Sequence, residues 1–221
     1  MDRISHYFFS TIGSKKVVGL AGLALAGFVL SHMAGNMLIL VSPKDYNTYA
    51  HALITNPLIY LAEAGLIAFF LAHIILGIVL TVKNRMAKGT TYAVSAKGDK
   101  SASYASRTMV YQGIVIGVFL VYHLVTFKFG PYYEVTYDGV LMRDLHRLVI
   151  EVFQKPAYVV WYVFCVGVLG YHLSHGVYSS FQTLGFYHAR YTPYIKCISV
   201  IYGILIGAGF MVQPLYVYLF D

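Results

Sequence analysis

The chain has 221 residues, of which 58% are hydrophobic and 11% are charged, and its mean hydropathy is +0.65. This composition excludes an ordinary soluble globular domain and indicates a membrane protein. The formal net charge is +7, but Lys and Arg lie in short segments between apolar runs, so membrane topology explains them better than a nucleic-acid partner. The cysteines, Cys165 and Cys197, lie in or beside apolar runs, and we interpret them as small buried residues. They are too few for an iron–sulfur cluster, which needs about four ligands.

Five apolar segments predict five transmembrane helices and an all-α, polytopic membrane fold in a single domain. Each segment is long enough to cross a hydrocarbon core about 30 Å thick at about 1.5 Å per residue. The predicted spans are residues 17–41, 57–82, 108–129, 157–179 and 194–219. The polar start of the chain and the length of the first span favour a protein without a cleavable signal peptide.

Two connecting segments are long enough for a structure to be predicted for each. Residues 83–107 are rich in Lys, Ser, Gly and Ala, and we expect a flexible connector that could touch a partner. Residues 140–153 carry apolar side chains at helical spacing, which predicts a short amphipathic helix on the outer surface. Eleven Lys and Arg residues lie on the side of the N-terminus and five on the other side, so the positive-inside rule places the N-terminus in the cytoplasm.

Four of the predicted spans carry one deep histidine each, namely His32, His73, His123 and His172. An imidazole in hydrocarbon needs a partner, because an unsatisfied polar group there costs several kcal/mol. Each histidine lies about 15 residues into its span, which is about 22 Å from the entry side. Because successive spans run in opposite directions, His32 and His123 share a level near the outer face, and His73 and His172 share one near the inner face, about 14 Å away. Two bis-histidine haems would need this arrangement, so haem is the leading candidate for the partner.

Other interpretations stay open at this point. A single deep histidine is often no more than a hydrogen-bonded helix contact, and His175, one turn from His172, is a rival ligand or a propionate contact. Glycines lie one turn from three of the histidines, where a missing side chain would let a porphyrin approach the backbone, although glycine is more often a helix-packing residue. These glycines are Gly35, Gly77 and Gly176.

Five short motifs are spread along the chain. They are Ser-Thr-Ile-Gly-Ser-Lys-Lys at 10–16, His-Met-Ala-Gly-Asn at 32–36, Ser-Arg-Thr-Met at 106–109, His-Leu-Ser-His-Gly at 172–176 and Ser-Phe-Gln-Thr-Leu-Gly at 180–185. In combination they resemble the dihaem cytochrome b membrane-anchor subunit of succinate dehydrogenase and fumarate reductase, the succinate:quinone oxidoreductases. The similarity covers nearly the whole chain, and the combination of motifs carries its specificity.

The resemblance implies a complex with a flavoprotein, in which succinate and fumarate interconvert, and an iron–sulfur protein. Both would dock on the cytoplasmic face of a prokaryotic inner membrane, and such complexes often form dimers. Two haem b groups would carry electrons between the iron–sulfur clusters and a membrane quinone such as menaquinone. In the family the second and fourth spans supply the ligands of the haem near the cytoplasm, here His73 and His172. The first and third spans supply those of the distal haem, here His32 and His123.

Two further details follow from the resemblance. The family's fourth-span ligand stands four residues before a glycine, which favours His172 over His175. Some dihaem fumarate reductases carry a Glu two residues before this ligand, implicated in moving protons across the membrane. Because this chain has Gly170 there, that proton pathway is not expected.

Residues for quinone and propionate contacts are also predicted. Glu63, at the outer end of the second span, is the only acid within a span, so we expect it in quinone proton transfer, although a snorkelling interface residue fits it equally well. His51 and Asn56 are further quinone candidates nearby. Three basic residues are candidate partners of the propionates of the inner haem, namely Arg107, Lys15 and Lys16. The alternative is that these residues only determine the membrane topology.

Two other classes of protein compete with this interpretation. A haem-free, proton-coupled membrane transporter could use the buried histidines as relays, but broken helices or internal repeats would then be expected. A cytochrome of the quinol:cytochrome c reductase kind has two ligands about four turns apart on each of two helices. His172 and His175 are three residues apart, which argues against that class.

Overall fold

The computed structural model describes residues 10–88 and 103–221. Within these residues, five helices are long and apolar enough to cross a membrane, which confirms the predicted five-span, multi-pass membrane protein. Every one of these helices runs past its predicted bounds at one end or both, because hydrogen-bonded turns continue beyond the apolar part that hydropathy detects. The spans are Thr11–Leu40, Ile59–Ala87, Tyr104–Lys128, Pro156–Thr183 and Thr192–Phe220.

The described elements are seven α-helices and one β-hairpin. In chain order they are α1 (Thr11–Asn36, followed by a 3-10 turn, Met37–Leu40), α2 (Pro43–Thr55), α3 (Ile59–Lys88), α4 (Tyr104–His123, followed by a π-helical turn, Leu124–Lys128), β1 (Glu134–Tyr137), β2 (Val140–Arg143), α5 (Leu145–Phe153), α6 (Pro156–Thr183) and α7 (Thr192–Phe220). The predicted connector 83–107 is helical at both ends, and its residues 89–102 lie outside the described residues.

The bundle has two different ends. The lower end holds the first turns of α1, α4 and α7 and the last turns of α3 and α6. The upper end holds α2, the hairpin and α5. All the acidic residues that the structure describes lie at the upper end, and they are Asp45, Glu63, Glu134, Asp138, Asp144, Glu151 and Asp221.

The segment predicted as a helix over residues 140–153 divides into two elements. Val140–Arg143 pairs antiparallel with Glu134–Tyr137, and the helix begins only at Leu145. The turn between the strands has positive φ at Asp138 (52°) and Gly139 (79°), the type I′ geometry that an Asp-Gly pair favours in a two-residue hairpin. The all-α class holds for the fold as a whole, whereas the helix predicted over residues 140–153 is wrong for residues 140–143.

Helix α5 is amphipathic, as its spacing predicts from residue 145 onward, but its apolar face lies inside the protein. Leu148, Val149, Val152 and Phe153 are buried in a cluster with residues of α2, α6 and α7. Asn47 of α2 is fully buried; its Nδ2 donates to Asp144 Oδ1 (2.8 Å) and its Oδ1 accepts from the backbone N–H of His146 (2.9 Å). Helices α2 and α5 thus form a packed cover over the upper end.

Helices α6 and α7 cross at very short range. A Cβ added to Gly170 would lie 2.6 Å from the Gly203 carbonyl oxygen and 3.1 Å from Gly207 Cα. Backbone therefore meets backbone at this crossing, in the manner of small-residue contacts between membrane helices. Cys165, also on α6, is fully buried, whereas Cys197 on α7 is exposed, so the expectation of two buried cysteines is wrong for Cys197.

Candidate functional site

The four deep histidines lie in two pairs. The ring centroids of His32 and His123, which we call the upper pair, are 5.9 Å apart with an interplanar angle of 88°. Those of His73 and His172, the lower pair, are 6.3 Å apart at 75°. These are the two pairings that the depth of each histidine predicts.

Both pairs join helices that stand diagonally across a four-helix bundle. Helix α1 packs against α3 and α6, and α4 packs against α6 and more loosely against α3. The upper pair connects α1 with α4, and the lower pair connects α3 with α6. Neither of these two helix pairs is among the closely packed pairs of the described helices. The imidazoles therefore converge on the bundle axis.

The two pairs lie at different depths. A Cβ added to Gly22 of α1 would lie 3.1 Å from His73 Cε1, so Gly22 marks the level of the lower pair on that helix. Gly22 and His32 are ten residues apart along α1, which corresponds to about 15 Å. Gly22 is also the reason that the His73 ring can lie against α1.

The spacing within each pair fits one metal ion between two imidazoles. A metal–imidazole bond is about 2 Å long and the ring centre lies about 1 Å behind the nitrogen, so two rings on opposite sides of an iron have centres about 6 Å apart. Edge-to-face aromatic contacts have centroid distances in the same range. The second nitrogen of each ring therefore carries more information than the spacing.

That second nitrogen has a hydrogen-bonding neighbour in three of the four histidines. His73 Nδ1 lies 3.2 Å from the Val18 carbonyl oxygen. Because a carbonyl can only accept, Nδ1 donates its proton there and Nε2 keeps a lone pair, the tautomer that a metal ligand needs. His123 Nδ1 lies 3.4 Å from the Tyr162 hydroxyl.

His32 is held through Asn36. The Asn36 amide Nδ2 donates to the His32 carbonyl oxygen (2.8 Å) and lies 3.4 Å from His32 Nδ1. Its Oδ1 accepts from the Tyr46 hydroxyl (2.9 Å), and burial raises the pKa of Tyr46, so the phenol keeps the proton it donates. A chain of hydrogen bonds thus connects the cover at the upper end to the upper pair.

His172 differs from the other three. Its Nδ1 is buried and has no hydrogen-bond partner within the described residues. His175 is half-buried and lies near Lys196 of α7, whereas the ring that faces His73 belongs to His172. The geometry therefore favours His172 over His175 as the partner of His73.

Aromatic side chains surround the upper pair. Phe28 stacks on His32 at 5.4 Å and 17°, and Phe210 lies 5.9 Å from the same ring. Phe119 and Phe127 flank His123 at 5.8 and 5.4 Å. This shell excludes water and presents flat apolar surfaces to any ligand held between the rings.

The three glycines one turn from the histidines have different surroundings. A Cβ added to Gly77 would meet no other described atom within 4 Å, and one at Gly176 would meet only Met109 Cε at 3.9 Å. A Cβ at Gly35 would lie 2.5 Å from Tyr49 Cε1. Gly77 thus faces open space, Gly176 lies within van der Waals contact of Met109, and Gly35 accommodates α2.

The cationic candidates for propionates lie at the lower end. Lys15 and Lys16 are exposed near the first turn of α1, and Arg107 is exposed in the first turn of α4. Since the lower pair is the closer of the two, these residues are suitably placed for acidic groups extending from it toward the membrane surface.

The quinone candidates lie at the upper end in three separate environments. Glu63, in the first turns of α3, forms an ion pair with Lys128 of the π-helical turn that follows His123; both side chains are a little over two-fifths exposed. Asn56 Oδ1 accepts from the backbone N–H of Leu58 (2.9 Å), so it stabilises a turn. His51 lines a small cavity of about 50 Å³ with Arg143, space for a few water molecules.

Arg143 is the residue that sequence reasoning missed. Its Nη2 donates to the carbonyl oxygens of Phe127 (2.9 Å) and Pro131 (3.0 Å), and its Nε is buried without a partner within the described residues. Because it is the last residue of a strand that hydropathy does not reveal, the sequence suggested only a topology-determining charge. The cavity beside His51 therefore combines a fixed cation with an imidazole.

No group of three or more His, Cys, Asp or Glu side chains that could hold a bare metal ion lies within residues 10–88 and 103–221. Pairs of histidines suit a metal that brings other ligands of its own, and a porphyrin supplies four in one plane. The chemistry of the donors and the open space beside Gly77 fit haem.

No protein-family model, curated protein or solved structure matches the chain. Within the described residues, the fold and the candidate site define a multi-pass membrane protein with five helices long and apolar enough to span the membrane and two histidine pairs at different depths.

Proposed function

We propose that the chain is the dihaem cytochrome b membrane anchor of a succinate:quinone oxidoreductase, either a succinate dehydrogenase or a quinol:fumarate reductase. The observation that carries the proposal is the pair of bis-histidine arrangements, with ring centroids 5.9 and 6.3 Å apart, on diagonal helices at two depths. The five motifs support the assignment to this family.

In this proposal the lower pair and the upper pair each hold one haem b by its iron. The haem supplies one-electron redox chemistry when bound. Val18 and Tyr162 would orient the imidazoles of His73 and His123, Asn36 would hold the backbone carbonyl of His32, and the aromatic shell would keep water away from the upper pair. Fixed neutral ligands in an apolar shell are the features by which a protein controls a haem potential.

The lower end is the proposed docking face for the flavoprotein and the iron–sulfur protein. No acidic residue lies there within the described residues, whereas basic residues do, and such an asymmetry supports a cytoplasmic lower end in a prokaryotic inner membrane. The dicarboxylate active site would then lie on another chain. Electrons would pass along the bundle axis between that face and a quinone, menaquinone or another, at the upper end.

Proton transfer to the quinone is assigned to Glu63 in this proposal, and the ion pair with Lys128 allows a matched test. General acid–base catalysis contributes about 10²–10⁴-fold, so Glu63→Gln should slow quinone turnover at least about tenfold with both haems bound. Lys128→Gln keeps the carboxylate and should retain most turnover, since an exposed ion pair contributes only about 0–1 kcal/mol to stability. Equal losses in the two variants, or normal turnover in Glu63→Gln, would remove Glu63 from the proton path.

The experiment that tests the class is the haem b content of the purified chain, with a reduced-minus-oxidised spectrum. The expected result is two haems per chain. If the protein is purified from haem-replete cells and contains no haem, the proposal is contradicted. Proton-coupled transport by the buried histidines would then be the better hypothesis.

A further inference from the structure

Two buried polar atoms near the lower pair lack partners within the described residues. They are the amide oxygen of Gln112 on α4 and Nδ1 of His172 on α6. One is an acceptor, and the other is a donor in the tautomer that leaves Nε2 free for a metal. Unsatisfied buried groups of this kind are uncommon in folded proteins and call for an explanation.

The orientation of Gln112 is fixed by its nitrogen. Nε2 donates to Thr108 Oγ1 (2.7 Å) and approaches the Ala105 carbonyl oxygen (3.3 Å). Thr108 in turn donates to the Tyr104 carbonyl oxygen (2.9 Å). Since a carbonyl accepts only, the amide nitrogen must point toward the lower end, and Oε1 is the free end of a side chain that is 6% exposed.

Gln112 and His172 lie at the same depth on neighbouring helices. Helices α4 and α6 run antiparallel and pack together, and the position of a Cβ on Gly176 lies 3.9 Å from Met109 Cε. One turn up α4 from Met109 is Gln112, and one turn up α6 from Gly176 is His172. Residues three and four apart share a helix face, so both side chains belong to the same contact surface.

Gln112 Oε1 and His172 Nδ1 do not bond to each other in the structure; we propose that Gln112 is a positioning residue whose amide oxygen accepts a hydrogen bond from Nδ1–H of His172 once Nε2 of that ring binds the iron of the lower pair. This inference rests on the proposed function. It gives the second histidine of the lower pair what the first already has, since His73 Nδ1 donates to the Val18 carbonyl. An acceptor on Nδ1 fixes the ring orientation and makes Nε2 a stronger donor to the iron.

The test uses the full chain with its haems and two opposed substitutions. Gln112→Leu removes the acceptor and should raise the midpoint potential of the lower haem alone, because a weaker donor stabilises the oxidised iron less. It should also speed haem transfer to an acceptor globin about 10–100-fold, the usual cost of losing such a partner. Gln112→Glu provides a stronger acceptor and should shift the potential downward.

Controls separate a specific role from general packing. Gln213→Leu removes a buried amide of α7 that donates to the Gly209 carbonyl oxygen, and it should leave both potentials unchanged. If Gln112→Leu does not accumulate, Thr108→Val, which frees the amide nitrogen, should give a smaller upward shift of the same haem.

Two results would overturn the inference. The first is an unchanged midpoint potential of the lower haem in Gln112→Leu, or in both Gln112→Glu and Thr108→Val. The second is an equal shift of both haems, which would indicate a general change in packing. If the wild-type protein binds two haems but the substitutions leave the potential of the lower haem unchanged, this inference alone is overturned. If the wild-type protein binds no haem, the proposed function is overturned as well.

Discussion

Replacing His172 with Ala should halve the haem content of the purified chain, from two haems to one. The His172 ring faces His73 at a centroid distance of 6.3 Å, and its Nδ1 is enclosed. Loss of one axial imidazole leaves His73 as the only protein ligand of the lower haem. The remaining haem should be that of the upper pair, about 15 Å away along α1, and it should keep its spectrum and potential.

His175→Ala is the matched control, because it removes an imidazole one turn away on the same helix. His175 lies near Lys196 of α7, whereas the ring that faces His73 belongs to His172. Both haems should therefore remain. Loss of a haem in His175→Ala together with retention in His172→Ala would exchange the roles of these two residues and remove the basis for Gln112 as a positioning residue.

Double substitutions test the pairing itself. The double variant with Ala at His73 and His172 should lose no more haem than either single variant. Both residues are proposed to hold the same iron, so their effects are not additive. Ala at both His172 and His123 should remove both haems, since these residues belong to different pairs. A protein in which His73→Ala and His123→Ala affect the same haem would contradict the diagonal arrangement.

The depth of the histidines was predictable from the sequence, because an α-helix advances by a fixed amount per residue. Counting residues from the start of each apolar run was enough to sort His32 with His123 and His73 with His172. The direction in which each ring points is set by the packing of the helices, and only the structure shows that the paired helices are diagonal. The same reason explains Gly35, which looked like space for a porphyrin but lies against Tyr49.

The partners of the second ring nitrogens were beyond prediction for a related reason. Val18 contributes a backbone carbonyl, which leaves no trace in residue type, and Tyr162 is remote in sequence from His123. The upper end was also harder to predict than the spans. The Asp-Gly pair at 138–139 is the signal that could have revealed a hairpin, but the helical spacing of apolar residues over 140–153 obscured the strand that positions Arg143.

Gly170→Leu should strongly destabilise the protein and release the haem of the lower pair. A side chain at this position would meet the Gly203 carbonyl and Gly207 Cα, which are backbone atoms that cannot move without separating α6 from α7. Forcing extra atoms into a packed contact typically costs about 1–3 kcal/mol, and a backbone contact is at the upper end of that range. Thermal unfolding in detergent and haem content measure the two effects.

Gly65→Leu on α3 is the control, because a Cβ there meets no other described atom within 4 Å. It should change neither stability nor haem content. Gly203→Leu should reproduce the effect of Gly170→Leu, since its side chain would meet the Gly170 carbonyl oxygen and the backbone nitrogen of Ser174. Wild-type stability in both variants would show that α6 and α7 are less closely packed than described.

The same crossing explains why a carboxylate two residues before His172 has no place in this chain. Helix α7 carries no histidine, and it contributes to the lower pair by packing against α6. It also occupies the space into which a longer side chain at position 170 would extend. Gly170→Glu should therefore behave like Gly170→Leu in stability and should not introduce a proton pathway. A stable Gly170→Glu protein with both haems and proton transfer coupled to turnover would show that α7 can yield this space.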